Sequence, residues 1–97
     1  MNLTYKILVV EDDKDIREGI EIYLRNQGYE VFQAANGQEG LKVIEQQELH
    51  LAIVDIMMPV MDGVTMLMKL RAMEREFPVI MLSAKSEEVD KIMGLNM

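Results

Sequence analysis

Residues 6–34 read KILVVEDDKDIREGIEIYLRNQGYEVFQA. The stretch opens on an apolar, β-branched run, Lys6–Val10, and passes through a block of acids. It then turns helical, with Ile16, Ile20 and Leu24 spaced at i, i+4 and i+8 and Tyr23 beside them. The helical pattern ends at Gly28, a residue type suited to closing a helix, and a second β-branched run, Glu30–Ala34, follows at once. A change of period from strand to helix and back predicts a strand–helix–strand unit. Such units join parallel strands through right-handed crossovers.

The same alternation continues outward. Leu51–Asp55 (LAIVD) and Val79–Ser83 (VIMLS) read as two more strands. Leu41 and Ile44 mark a second helix, which makes Asn36 an N-cap and not the first residue of an Asn-Gly hairpin. Met66, Leu67 and Leu70 mark a third helix between Asp62 and Pro78. A fourth is expected from Ser86, with Glu87 and Glu88 at its positive end and an apolar stripe of Val89, Ile92 and Met93. The first, third and fourth runs are nearly continuously apolar, as for strands covered on both faces, whereas Glu30–Ala34 alternates and suits a place nearer the edge. The expectation is an α/β fold over residues 1–97: one domain with a doubly wound parallel sheet, flavodoxin-like, in strand order 2-1-3-4.

Composition narrows the function. The 97 residues are 49% hydrophobic and 28% charged, a globular and not a disordered balance. No cysteine is present, which excludes disulfides, thiolate metal sites and thiol nucleophiles. No apolar run approaches the roughly 18 residues of a membrane span, and no signal-peptide pattern opens the sequence, so a cytoplasmic protein is expected. Seventeen acidic against ten basic side chains give a formal charge of −7, a surface that repels nucleic-acid phosphates. The ten methionines are read chiefly as core filling by a flexible side chain, with an adaptable partner surface as the alternative.

The acids are not spread evenly. Glu11, Asp12 and Asp13 follow the first strand, Asp55 ends the third, and Ser83 ends the fourth. In open parallel sheets ligands bind beyond the carboxyl ends of the strands, where the winding reverses. With strands 1 and 3 adjacent, Glu11, Asp12 and Asp55 converge there. Asp13 has ordinary work as a helix cap, but Asp55 precedes apolar IMMP and has no helix to cap. Mutually close carboxylates require a proton, a basic side chain or a cation. Hard oxygen ligands, few in number and with room for water, fit magnesium better than zinc or calcium.

ILVVEDD, IVDIMMPVMDG and VIMLSAK, in this order and spacing, resemble the receiver domain of bacterial two-component response regulators across essentially the whole chain. The resemblance implies that Asp55 is the phosphoacceptor, with Mg2+ bound directly by Asp12 and Asp55, by the backbone carbonyl of Met57, and partly through water by Glu11. It implies that the Ser83 hydroxyl binds the phosphoryl group, that a sensor histidine kinase is the donor, and that His50 is a solvated turn residue and not a phosphodonor. The run SEEVDKIMGLN most resembles regulators with a winged-helix output domain, through which DNA would be reached and transcription controlled. Receiver domains continue with a fifth strand, an invariant lysine and a fifth helix, which this sequence lacks; Lys85 is not that lysine. On this reading the chain is an incomplete receiver. Its uncharged fourth strand, VIMLS, is an edge through which copies would pair or exchange their last helix.

Three rivals share parts of the pattern. A flavin-binding relative needs a phosphate-cradling loop after strand 1, where EDDKD would repel one. A haloacid-dehalogenase-like phosphatase needs an acid two residues beyond its nucleophile, and after Asp55 that place is Met57. A non-phosphorylated pseudo-receiver would serve only as an interaction module. The phosphoacceptor reading accounts for more of the acids than any of these.

Overall fold

The computed structural model describes residues 3–58 and 61–82. Ser83 and the helix expected from Ser86 lie outside the described residues. Within them the order is β1 (Lys6–Val10), α1 (Lys14–Asn26), β2 (Glu30–Ala34), α2 (Gly37–Gln46), β3 (Leu51–Asp55), α3 (Gly63–Ala72) and β4 (Val79–Leu82). The four strands form one parallel sheet in the order β2-β1-β3-β4. This is the flavodoxin-like arrangement expected from the alternation.

Each helix starts and stops for a local reason. Asp13, Asn36 and Asp62 cap α1, α2 and α3, their side chains accepting the N–H groups of Ile16, Glu39 and Thr65 at 3.0, 2.9 and 2.8 Å. Helix α1 ends in a Schellman motif: Gly28 N–H donates to the Arg25 carbonyl and Tyr29 N–H to the Leu24 carbonyl, with Gly28 at φ +96°. Helix α3 closes without a glycine, and Glu74 takes the left-handed conformation at φ 61° instead.

The two faces of the sheet are covered unequally. Leu8, Val10, Ala52 and Val54 point toward α2 and α3, where Ile44, Met66 and Leu70 seal the main core. Burying each such side chain is worth roughly 1.5–3 kcal/mol. On the other face Ile7, Val9 and Val31 pack on Ile20 and Leu24 of α1.

Burial varies along the elements. Ile16 and Tyr23, which share the apolar spacing of α1, are exposed, because its apolar contact with the sheet is made by Ile20 and Leu24. Strands β3 and β4 are partly covered, in keeping with β4 read as an edge: Leu51, Ile53 and all of β4 are half-buried. Among the described residues only α1 packs on that face, beside a cavity of about 430 Å³ lined by Tyr5, Ile7, Leu24, Leu51, Ile53 and Ile80. The methionines divide, Met58 and Met66 being buried while Met57 and Met68 are exposed.

Candidate functional site

The register places the acids. Val10 pairs with Val54 and Ala34, so the next residue of β1, Glu11, emerges beside Asp55 at the carboxyl ends of adjacent strands. Glu11 N–H donates to the Ala34 carbonyl at 3.1 Å, extending the ladder by one bond beyond β1. Asp12 is attached to this anchored residue and is the most exposed of the three. One carboxylate oxygen from each of Glu11, Asp12 and Asp55 lies within 4.8 Å of the others.

Two of these acids are deeply buried, Glu11 at 3% and Asp55 at 2% exposure. Neither lacks a donor. Glu11 Oε2 accepts the Asp13 N–H at 3.0 Å and Asp55 Oδ1 the Met57 N–H at 3.1 Å. What they lack is opposite charge: the ion pairs among the described residues, Lys14–Glu18 and Arg25–Glu21, lie elsewhere on α1. Burial pushes the Glu11 carboxyl up from 4.5 to about 7. The Asp13 N–H opposes that rise, while a side-chain hydrogen bond with Asp12 and the charges of Asp55 and Asp12 add to it. Two unit charges about 4 Å apart repel by roughly 4 kcal/mol at an effective dielectric near 20. Glu11 therefore holds a proton near neutrality, or the cluster takes up a cation.

The donor set suits a hard divalent ion: oxygen only, three carboxylates, one side open to water. Asp13, adjacent in sequence, turns away to cap α1. Met57 follows Asp55 with its backbone against the carboxylate and its side chain 52% exposed.

Gly63 sets the floor of the site. Its N–H donates to the Ile56 carbonyl at 2.9 Å, and a Cβ there would stand 2.6 Å from the Asp55 carbonyl oxygen and 2.9 Å from Ile56 Cα. The Asp-Gly of the DG motif thus has two separate tasks: Asp62 caps α3, and Gly63 lets α3 start against the backbone of Asp55.

Two contacts escaped the sequence reading. Arg17 Nη1 donates to the Glu11 carbonyl at 2.7 Å and its Nε to Gln33 Oε1 at 3.1 Å. The available signal was a cation one turn into the helix after an acidic loop. His50 is exposed, as expected of a turn residue, but its Nδ1 accepts the Lys6 N–H at 2.9 Å.

Known proteins place this geometry in context. The response regulator receiver domain family matches residues 7–97. The chain is 44% identical over 90 residues to the regulatory protein VanR of Enterococcus faecium, covering 93% of this chain and 38% of VanR. It is 40% identical over 92 residues to the alkaline phosphatase synthesis transcriptional regulatory protein PhoP of Bacillus subtilis, covering 95% of this chain and 38% of PhoP. It thus spans well under half the length of these relatives. Among solved structures, the chemotaxis protein CheY4 of Vibrio cholerae superposes with a TM-score of 0.84 at 29% identity, covering 97% of this chain and 79% of that one. TrrA of Thermotoga maritima, determined in complex with Mg2+ and BeF, superposes with a TM-score of 0.80 at 33% identity, covering 95% and 80%. With its acids gathered at the carboxyl ends of β1 and β3, this chain belongs to the response regulator receiver domain family.

Proposed function

We propose that the chain is a phosphoacceptor: Asp55 receives a phosphoryl group from a sensor histidine kinase in a reaction that requires magnesium. The observation that carries this reading is the gathering of three carboxylates, two of them buried, within 4.8 Å and without a cationic partner among the described residues. Asp12 and Asp55 are the proposed direct ligands, with the Met57 backbone carbonyl beside them and Glu11 acting partly through water. Bound magnesium supplies the positive charge that offsets both the carboxylates and the incoming phosphate.

Asp55 is the nucleophile. Its carboxylate oxygen forms a bond to phosphorus as the phosphorus–nitrogen bond of the donor phosphohistidine breaks; the bonding pair stays on that ring nitrogen, and the imidazole leaves neutral with the proton already on its other nitrogen. The place of Asp55 opposite Leu82, fixed by the Ile56 N–H donating to the Leu82 carbonyl at 2.6 Å, and the Met57 N–H on Oδ1 hold the carboxylate in a fixed direction for that attack. Ser83, one residue beyond β4, is the proposed hydroxyl for the phosphoryl group. The proposed setting is the cytoplasm, with the signal passed to an output domain that acts on DNA, as the word transcriptional in the name of PhoP suggests.

Incubation with acetyl phosphate and magnesium, followed by mass spectrometry, tests the reading. The parent should gain one phosphoryl group, and Asp55→Asn, which keeps the shape but removes the nucleophile, should gain none. Labelling of that variant at the parental rate overturns the assignment. Failure of the parent to label favours a pseudo-receiver.

A further inference from the structure

Asp12 is the most exposed of the three acids, and within the cluster it is held by the Asp13 N–H on Glu11 Oε2 at 3.0 Å, which ties the peptide plane after Asp12, and by its side-chain hydrogen bond with Glu11. The loop is held at Glu11. A trans peptide is planar, so a residue is fixed when both peptide planes that flank it are fixed. The plane before Glu11 is tied by its N–H to the Ala34 carbonyl at 3.1 Å. The plane after it contains the Glu11 carbonyl and carries Asp12. That carbonyl is gripped by Arg17 Nη1 at 2.7 Å, a short bond to a charged donor and so among the stronger kinds. The guanidinium is itself braced by Gln33 Oε1 on β2 at 3.1 Å, and the Arg17 backbone by the Asp13 carbonyl at 2.9 Å. It is a strap from the first turn of α1 across the ends of β1 and β2.

We infer that Arg17 is a positioning residue for the metal site: by fixing the peptide plane between Glu11 and Asp12 it presents the Asp12 carboxylate to the cation. The inference rests on the magnesium reading given above. Arg17 acts on the main chain and not as a counter-ion, since its bonds go to a carbonyl and an amide oxygen. Without it the Glu11 carbonyl loses its partner and the plane can rotate, which moves Asp12 while Glu11 and Asp55 stay anchored in the sheet.

The test is manganese binding to the full chain, measured by electron paramagnetic resonance, alongside metal-free thermal unfolding. Arg17→Ala should weaken affinity by about tenfold, the lower end of what loss of an outer-shell partner costs. Arg17→Lys should recover part of it, because an ammonium reaches the carbonyl but does not also hold Gln33. Gln33→Ala should lose less than Arg17→Ala. In the acetyl phosphate reaction, Arg17→Ala should need more magnesium for half-maximal rate yet approach the parental rate at saturation. A purely structural role would lower the unfolding midpoint and leave the affinity of the folded protein unchanged. Asp12→Ala separates the two readings. If Asp12→Ala loses manganese and Arg17→Ala does not, the role of Arg17 is overturned and the metal site stands. If neither loses it, the metal site falls and the inference with it.

Discussion

The two ends of one sheet are built on opposite terms. At the amino ends of β1 and β3, His50 Nδ1 accepts the Lys6 N–H while the His50 N–H donates to the Lys6 carbonyl, both at 2.9 Å. The ring stands edge-on to Tyr5 at 5.1 Å. Donors there meet acceptors and no charges are set against each other. At the carboxyl ends of the same two strands, Glu11, Asp12 and Asp55 crowd together with like charge. Backbone bonds continue past both ends of β1, from the His50 N–H to the Lys6 carbonyl at 2.9 Å and from the Glu11 N–H to the Ala34 carbonyl at 3.1 Å, so the contrast lies in the side chains. One end is arranged for the fold; the other keeps a conflict that a cation resolves. A sequence chosen for stability alone would not bury two carboxylates side by side.

The largest expected effect comes from breaking the floor of the charged end. In Gly63→Ala the new Cβ meets backbone atoms, Asp55 O and Ile56 Cα, which have no rotamer to swing away. A loss of about 1–3 kcal/mol is expected in denaturant unfolding, together with weaker magnesium dependence as Asp55 is displaced. Gly40→Ala is the control, since its Cβ would meet side-chain and not backbone atoms, the flexible end of Met66 at 2.8 Å and Val10 Cγ2 at 3.0 Å. It should cost less. Equal stability of Gly63→Ala and the parent would show that α3 can lift off β3 freely.

Next in size is the conflict itself. Glu11 is held at about 7 in the fold against 4.5 as an ordinary carboxyl, so the folded state binds its proton more tightly than the unfolded chain does. The stability this adds is complete below about 4.5 and is lost as pH rises through about 7. Metal-free parent should therefore lose stability over that window relative to Glu11→Gln, which has no proton to release. Magnesium should act in the opposite sense. At about ten times its dissociation constant it adds about 1.4 kcal/mol at neutral pH, and less near pH 5, where protons compete for the same oxygens. Parallel pH profiles for parent and Glu11→Gln would remove the conflict from the account.

What the sequence reveals about these two ends differs in kind. β1, β2 and β3 fall where the apolar runs lie, and Asp13 and Asn36 cap where they were read to cap, because strand period and capping are decided by near neighbours. The acid cluster was legible too, since a parallel order brings strand ends to a shared rim. Long-range bonds were not. Nothing local shows that Arg17 turns back to Glu11, or that His50 meets Lys6 across 44 positions. Nor does periodicity reveal how much of a face is covered: Ile16 and Tyr23 share the helical spacing of Ile20 and Leu24 yet are exposed. Gly63 was visible as part of a motif, but its need to be glycine arises from the approach of α3 to β3.

The smallest effect belongs to the quiet end, and it sharpens the contrast most directly. His50→Ala removes the acceptor of the Lys6 N–H while leaving the His50 backbone bond to Lys6 in place. The site is exposed, so water replaces the lost acceptor and no buried group is orphaned. The expected cost is therefore a single net hydrogen bond plus the edge contact with Tyr5, roughly 0.5–1.5 kcal/mol in denaturant unfolding. Magnesium affinity and labelling by acetyl phosphate should match the parent, since the change sits at the opposite end of β1 and β3 from the acids. If His50→Ala altered the magnesium dependence while losing little stability, the two ends would be coupled through the strands. The division between an end arranged for the fold and an end arranged for the ligand would then be wrong.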